Sequence, residues 1–295
     1  MLRTPITLIT GPLGSGKTTL LRHILATRPA RIAIVMNEFG EIAIDTKVIK
    51  GKNVQIAELG GGCVCCSLLG EFEAAVTEII TKVAPEMIVV ETTGLAEPEA
   101  LVFNIQEALP QCRLDGVVSV IDADMLVRFP ELGHTTRLQI EGADILLLNK
   151  VDLVDAKQIE SLETKLCEIN PSAPIIRTDH CQIDPEVLFG IPQSHEKRVA
   201  PPQHSHQPEF ESFAFSSDST FSRDCFERFA DALPANVIRA KGLVRFPDGA
   251  QLFNFVAGRW ELEPFESEDT KLVFIGKQVS KQKPAILAAL RKCEV

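Results

Sequence analysis

The stretch GPLGSGKT (11–18) has the spacing G-x-x-x-x-G-K-[ST], and it lies between an apolar run and a helix-forming one. Its glycines, Gly11, Gly14 and Gly16, let backbone N–H groups curl around phosphate oxygens, and the helix that follows adds positive charge at its N-terminus. Lys17 is expected to reach the β- and γ-phosphates and to stabilise the transferred charge. The Thr18 hydroxyl is expected to hold Mg²⁺, and Ser15 and Thr19 complete the cofactor-binding set.

A second group selects the base. NKVD (149–152) follows the strand-like run ADILLL. A buried Asp152 carboxylate accepts two hydrogen bonds from guanine and is left unpaired against adenine, which discriminates strongly. Asn149 is expected to support the purine edge and the Lys150 stem to pack on the ring, so the nucleotide is GTP or GDP. In ETTGLAEP (91–98), Glu91 sits where an acid would hold the Mg²⁺ shell, and Gly94 can offer its N–H to the γ-phosphate. A capping turn, with Thr92 or Thr93 as cap and Pro98 in the first turn, fits the same residues. In MNEFGEIAIDT (36–46), Glu38, Glu41 and Asp45 are close enough in sequence to serve a metal or a water; a solvated acidic loop explains them as well.

The turn ELGGGCVCC (58–66) puts Cys63, Cys65 and Cys66 behind Gly60, Gly61 and Gly62. Thiolates suit Zn²⁺, Co²⁺ and Cu⁺. Three of them with an open fourth position make a transfer site. Buried packing thiols and a regulatory disulfide are the competing explanations. The histidines of HSH, His204 and His206, read as incidental to a linker. Cys112, Cys167, Cys181, Cys225 and Cys293 are scattered and read as packing or surface thiols.

These residues need a scaffold. Apolar runs at 6–10, 31–36, 86–91, 116–122, 143–149 and 173–177 read as strands buried on both faces. Helical patterns at 17–27, 71–83, 97–108 and 155–169 lie between them. That alternation predicts an α/β domain with a mainly parallel sheet over 1–190. The proline-rich stretch 191–208 reads as a linker. From 209 to 295 a strand, a helix at 221–232, three or four strands and a helix at 281–291 predict a small α+β domain.

The 295 residues are 45% apolar and carry a formal charge of −10, which disfavours bulk binding to nucleic acid or to an anionic membrane. The sequence has no run long enough to span a bilayer and no signal-peptide pattern at its start. A cytoplasmic location, with reduced cysteines, is the expectation.

Taken together, GPLGSGKTT, NEFGE, GGCVCC, ETTGLAEP and NKVD, in that order, resemble the CobW-type metal-chaperone GTPases, relatives of the nickel-insertion GTPases of hydrogenase and urease maturation. The C-terminal region is similar to the CobW C-terminal domain. The resemblance implies a P-loop GTPase that hydrolyses GTP slowly and holds zinc, with cobalt as the alternative, at Cys63, Cys65 and Cys66, helped by Glu38 and Glu41. It also implies a metalloprotein client that receives the metal under control of GTP state. Self-association is compatible with this. A GTPase switch with structural or redox cysteines is the alternative function. A P-loop kinase is the third, and NKVD argues against it. ETTG offers no obvious base for the attacking water.

Overall fold

The computed structural model describes residues 3–27, 31–37, 54–59, 67–92, 94, 97–189, 210–265, 267 and 269–295. The chain divides into two compact units, Arg3–Pro185 and Glu186–Val295.

The first unit alternates strand and helix. In order these are β1 (Thr4–Thr10), α1 (Lys17–Thr27), β2 (Ile32–Asn37), β3 (Val54–Leu59), α2 (Ser67–Val83), β4 (Met87–Glu91), α3 (Pro98–Ala108), β5 (Cys112–Asp122), α4 (Ala123–Arg128), α5 (His134–Glu141), β6 (Ile145–Asn149), α6 (Ala156–Ile169) and β7 (Ile175–Thr178). A short 3-10 turn, Val151–Leu153, follows β6. The strands form one seven-stranded sheet in the order β3-β2-β4-β1-β5-β6-β7. Every pairing in it is parallel.

Parallel strands are covered by their crossover helices, so their sequences are continuously apolar. β6 is buried along its whole length. Ile6, Leu8, Ile88 and Val90 pack with Phe72 and Val76 of α2 and with Leu101 and Ile105 of α3. Ile121, Leu146 and Leu148 pack with Leu126, Ile140, Ile159 and Leu162 from α4, α5 and α6. Each such side chain, once buried, stabilises the fold by about 1.5–3 kcal/mol relative to exposure.

The sheet has one strand more than the six apolar runs. The addition is β3, at the sheet edge and paired only with β2. Its sequence, VQIAEL, lacks the continuous apolar character of the others. α4 and α5 were also not legible, being 6 and 8 residues long.

The sheet's order places the chemistry. β1 is central, and the chain turns from one half of the sheet to the other around it, so ligands are expected beyond the C-terminal ends of the strands. Those ends are in register there: Ile9 pairs with Glu91, Asp122 with Asn149, and Asn149 with Thr178.

At the unit boundary lies α7 (Pro185–Phe189). The second unit then contains β8 (Phe210–Ser217), α8 (Arg223–Asp231), β9 (Val237–Phe246), β10 (Gly249–Val256), β11 (Arg259–Phe265), β12 (Thr270–Lys277) and α9 (Val279–Arg291). Its sheet is antiparallel, in the order β11-β10-β9-β12-β8. The core is built on phenylalanine. The Phe226 ring of α8 meets Phe246 at 5.6 Å and Phe253 at 5.0 Å, both nearly edge-on. Val279, Ile286 and Leu290 of α9 join the same cluster.

One expectation fails here. Cys225 and Cys293, read as separate thiols, are joined in a disulfide, with their Cα atoms 5.2 Å apart. They are separated by 68 residues, and only the packing of the first turn of α8 near the end of α9 brings them within bridging distance.

Candidate nucleotide-binding site

β1 delivers the chain into the loop 11–16, and α1 begins at Lys17. Gly11, Gly14 and Gly16 all have positive φ, at 132°, 76° and 115°. At Gly16 a side chain is also sterically excluded, because a Cβ there would stand 2.5 Å from Asn149 Nδ2 and 3.0 Å from Cys181 Sγ.

Lys17 folds back over this loop. Its Nζ donates to the Gly11 carbonyl at 2.9 Å and to the Pro12 carbonyl at 3.1 Å. Burial holds its pKa below the ordinary lysine value, and the Glu91 carboxylate pulls it part of the way back up. A phosphate chain suits this cradle on two further counts. The Ser15 Oγ is buried with no hydrogen-bond partner among the described residues, and the loop glycines leave backbone N–H groups uncovered by side chains. Thr19 is exposed in the first turn of α1.

Thr18 Oγ1 donates to Glu91 Oε1 at 3.3 Å, from the first turn of α1 to the end of β4. A hydroxyl and a carboxylate held together beside a phosphate cradle are an all-oxygen donor set of the kind Mg²⁺ takes. Next to them, Thr92 donates its N–H to the Ile9 carbonyl at 2.9 Å and its hydroxyl to Thr10 at 3.0 Å. Thr92 therefore ties β4 to β1 and does not cap α3. The cap position belongs to Glu97, with no side-chain bond, and Pro98 opens the helix.

The base motif is arranged differently from the sequence expectation. Asn149 is buried, and its carboxamide is committed to protein groups. Its Nδ2 donates to the Ser15 carbonyl at 2.9 Å, and its Oδ1 accepts from Thr178 Oγ1 at 3.2 Å and from the Cys181 N–H at 2.9 Å. It bolts the phosphate loop to the loop after β7, where the expectation placed it on the purine edge. Lys150 adopts a left-handed conformation, φ 61° and ψ 35°, and its Nζ donates to Asp122 Oδ2 at 2.6 Å. Asp152, expected to be buried, is exposed, so its carboxylate faces solvent. The α6 capping box at Asp155 and Gln158 fixes where the chain leaves the motif.

Sequence reading missed Asp122, Thr178 and Cys181. The signal was their place at strand ends in a P-loop sheet, which is visible only once the strand order is known. Cys181 lies under the loop with its Sγ 3.4 Å from the Gly16 carbonyl, and burial pushes its thiol up to about 12.

Glu38, Glu41, Asp45, Cys63, Cys65, Cys66, His204, His206 and the linker 191–208 lie outside the described residues. Among the described residues no group of three or more His, Cys, Asp or Glu is placed to hold a metal, and no helix is long and apolar enough to cross a membrane.

Residues 5–177 match the family described as CobW/HypB/UreG, nucleotide-binding domain, and residues 210–294 match the cobalamin synthesis protein cobW C-terminal domain. The chain is similar to the zinc chaperone CobW of Sinorhizobium sp, with 30% identity over 285 residues, 85% of this chain and 80% of that one. It is also similar to the zinc chaperone YjiA of Escherichia coli K12, with 36% identity over 193 residues, 62% of this chain and 60% of that protein. The crystal structure of the Zn(II)-bound YjiA GTPase from E. coli aligns with a TM-score of 0.51 and 25% identity, covering 100% of both chains. With its nucleotide-binding domain and its C-terminal domain both matched, the chain belongs to the CobW/HypB/UreG family of GTPases.

Proposed function

We propose that this GTPase is a metallochaperone, which captures zinc at Cys63, Cys65 and Cys66 and releases it to a metalloprotein client as GTP is turned over. The observation that carries the proposal is the position of β3. Leu59, its last residue, pairs with Asn37 at the C-terminal edge of the sheet, the edge at which β1 feeds the phosphate loop. Cys63, Cys65 and Cys66 fall in sequence between the end of β3 and the start of α2. In this reading nucleotide and metal are coupled, and each biases the other's affinity reciprocally.

Within this reading the roles are as follows. Lys17, Gly11, Gly14, Ser15, Gly16 and Thr19 cradle the phosphates. Thr18 and Glu91 hold Mg²⁺, which when bound supplies charge to the β- and γ-phosphate oxygens. Gly94 meets the γ-phosphate, Asp152 accepts from the guanine edge, the Lys150 stem covers the ring, and Asn149 braces both loops. Glu38 and Glu41 assist the thiolates. Two similar proteins carry the name zinc chaperone, which favours zinc over cobalt as the cargo. The proposed limits are 1–190 for the GTPase domain, 191–208 for the linker and 209–295 for the C-terminal domain, and the proposed location is the cytoplasm.

The test is phosphate release from GTP, with and without added Zn²⁺, in full-length protein. Wild type is expected to hydrolyse GTP slowly and to change rate with Zn²⁺. Lys17→Ala is expected to lose hydrolysis by about a hundredfold or more. Replacing all three cysteines by serine should leave basal hydrolysis and remove the zinc response. A zinc response that survives the triple replacement contradicts the proposal.

A further inference from the structure

Gln139 is fully buried on α5, in the otherwise mostly polar sequence HTTRLQIE. Its Nε2 donates to the Gly94 carbonyl at 3.2 Å. Gly94 in turn lies against the phosphate loop. A Cβ there would stand 2.7 Å from the Leu13 nitrogen and 3.1 Å from the Leu13 Cα, so glycine alone fits this approach. α5 reaches the same stretch of chain a second time: a Cβ on Gly142, just beyond its end, would lie 3.2 Å from Pro98 Cγ. The end of α5 is itself fixed by Asn170, whose Nδ2 donates to the carbonyls of Ile140 at 2.8 Å, Glu141 at 3.1 Å and Ala143 at 2.9 Å.

We propose that Gln139 is a positioning residue for nucleotide discrimination: by holding the Gly94 carbonyl it fixes the backbone at Gly94, and with it the placement of the Gly94 N–H on the other side of the same Cα, and so lets the protein tell GTP from GDP. The inference rests on the reading of Gly94 as the residue that meets the γ-phosphate. GDP and GTP share the base motif and the loop contacts to the first two phosphates, and only GTP adds the third phosphate that Lys17 and Gly94 meet, so a Gly94 N–H that meets only that phosphate affects one nucleotide and not the other. The carbonyl on the other side of the Gly94 Cα has its partner on α5, whose end is anchored by Asn170. A shift of Gly94 on γ-phosphate binding is therefore a shift against α5, and α5 becomes the first element outside the site to register which nucleotide is bound.

The experiment measures the affinity of full-length protein for GDP and for a non-hydrolysable GTP analogue. Gln139→Met keeps the volume and removes the donor. It is expected to weaken the GTP analogue about five- to tenfold and to leave GDP within about twofold. Gln139→Glu adds a pH signature: only the protonated acid can donate to the carbonyl, so its GTP preference should fall as pH rises, while wild type does not change this way. Equal loss of both nucleotides in Gln139→Met, or no loss of either, overturns the role of Gln139 while leaving the GTPase reading intact. A wild type that binds neither nucleotide overturns both.

Discussion

The Lys150 ammonium and the Asp122 carboxylate meet at 2.6 Å, across the C-terminal ends of β6 and β5. Asp122 has two partners, because its Oδ1 also accepts the Met125 N–H at 3.0 Å and so caps α4. The pair fixes the lysine stem on which a guanine ring would rest. Asp122→Asn keeps the cap oxygen and places an amide against the ammonium. It is expected to weaken GDP and the GTP analogue alike, by about three- to fivefold, in a nucleotide titration. This uniform loss differs from the selective loss expected at Gln139. A selective effect in Asp122→Asn would contradict the assignment of Lys150 to the base.

Asp152 is exposed, two residues after that lysine, and the proposed function has it accept from the guanine edge. Asp152→Asn turns an acceptor into a group that can donate, which opposes the guanine exocyclic amine and suits the carbonyl that xanthine carries there. GTP affinity should fall by about a hundredfold, and XTP affinity should rise above that of wild type. Both are read in one competition assay against a fluorescent guanine nucleotide. Unchanged GTP preference would remove Asp152 from the site.

Thiol reactivity follows burial. Cys167 is exposed, while Cys112 and Cys181 are buried, with burial pushing their thiols up to about 11 and about 12 from the ordinary 9. Alkylation near neutral pH should mark Cys167 quickly and spare Cys112 and Cys181 until the protein unfolds, with Cys225 and Cys293 reacting only after reduction; peptide mass mapping reads this. The same shifts set a pH dependence. Between pH 9 and 12 the folded chain keeps protons that the unfolded chain releases. The stability due to these thiols is therefore full below about pH 9 and is lost as pH rises through 11 to 12. Thermal midpoints should fall over that window, and less steeply in Cys181→Ala.

The loops proposed to bind nucleotide were legible because they are contiguous: GPLGSGKT and NKVD are four to eight adjacent residues between readable strands. What stayed hidden depends on distance in sequence. Asn149 looked like a base contact, and only the strand order brings Ser15, Thr178 and Cys181 around its carboxamide. Asp122 read as the end of an apolar strand. Gln139 carries no sequence signal, because its helix is too short to read, and only the fold shows it buried and bonded to Gly94. β3 was missed because an edge strand needs no continuous apolar run, and Gln55 and Glu58 interrupt it. The bridge from Cys225 to Cys293 closes across 68 residues, beyond the reach of any local pattern.

The measurement that bears most directly on the metallochaperone proposal is a zinc competition titration against a chromophoric chelator. It compares the GDP form with the non-hydrolysable GTP form, in wild type and in the protein with Cys63, Cys65 and Cys66 all changed to serine. The expected result is tight binding in wild type that differs between the two nucleotides by about five-fold or more, and that disappears in the triple variant. Zinc affinity that is the same in both nucleotide forms, or that persists without the three cysteines, would contradict it.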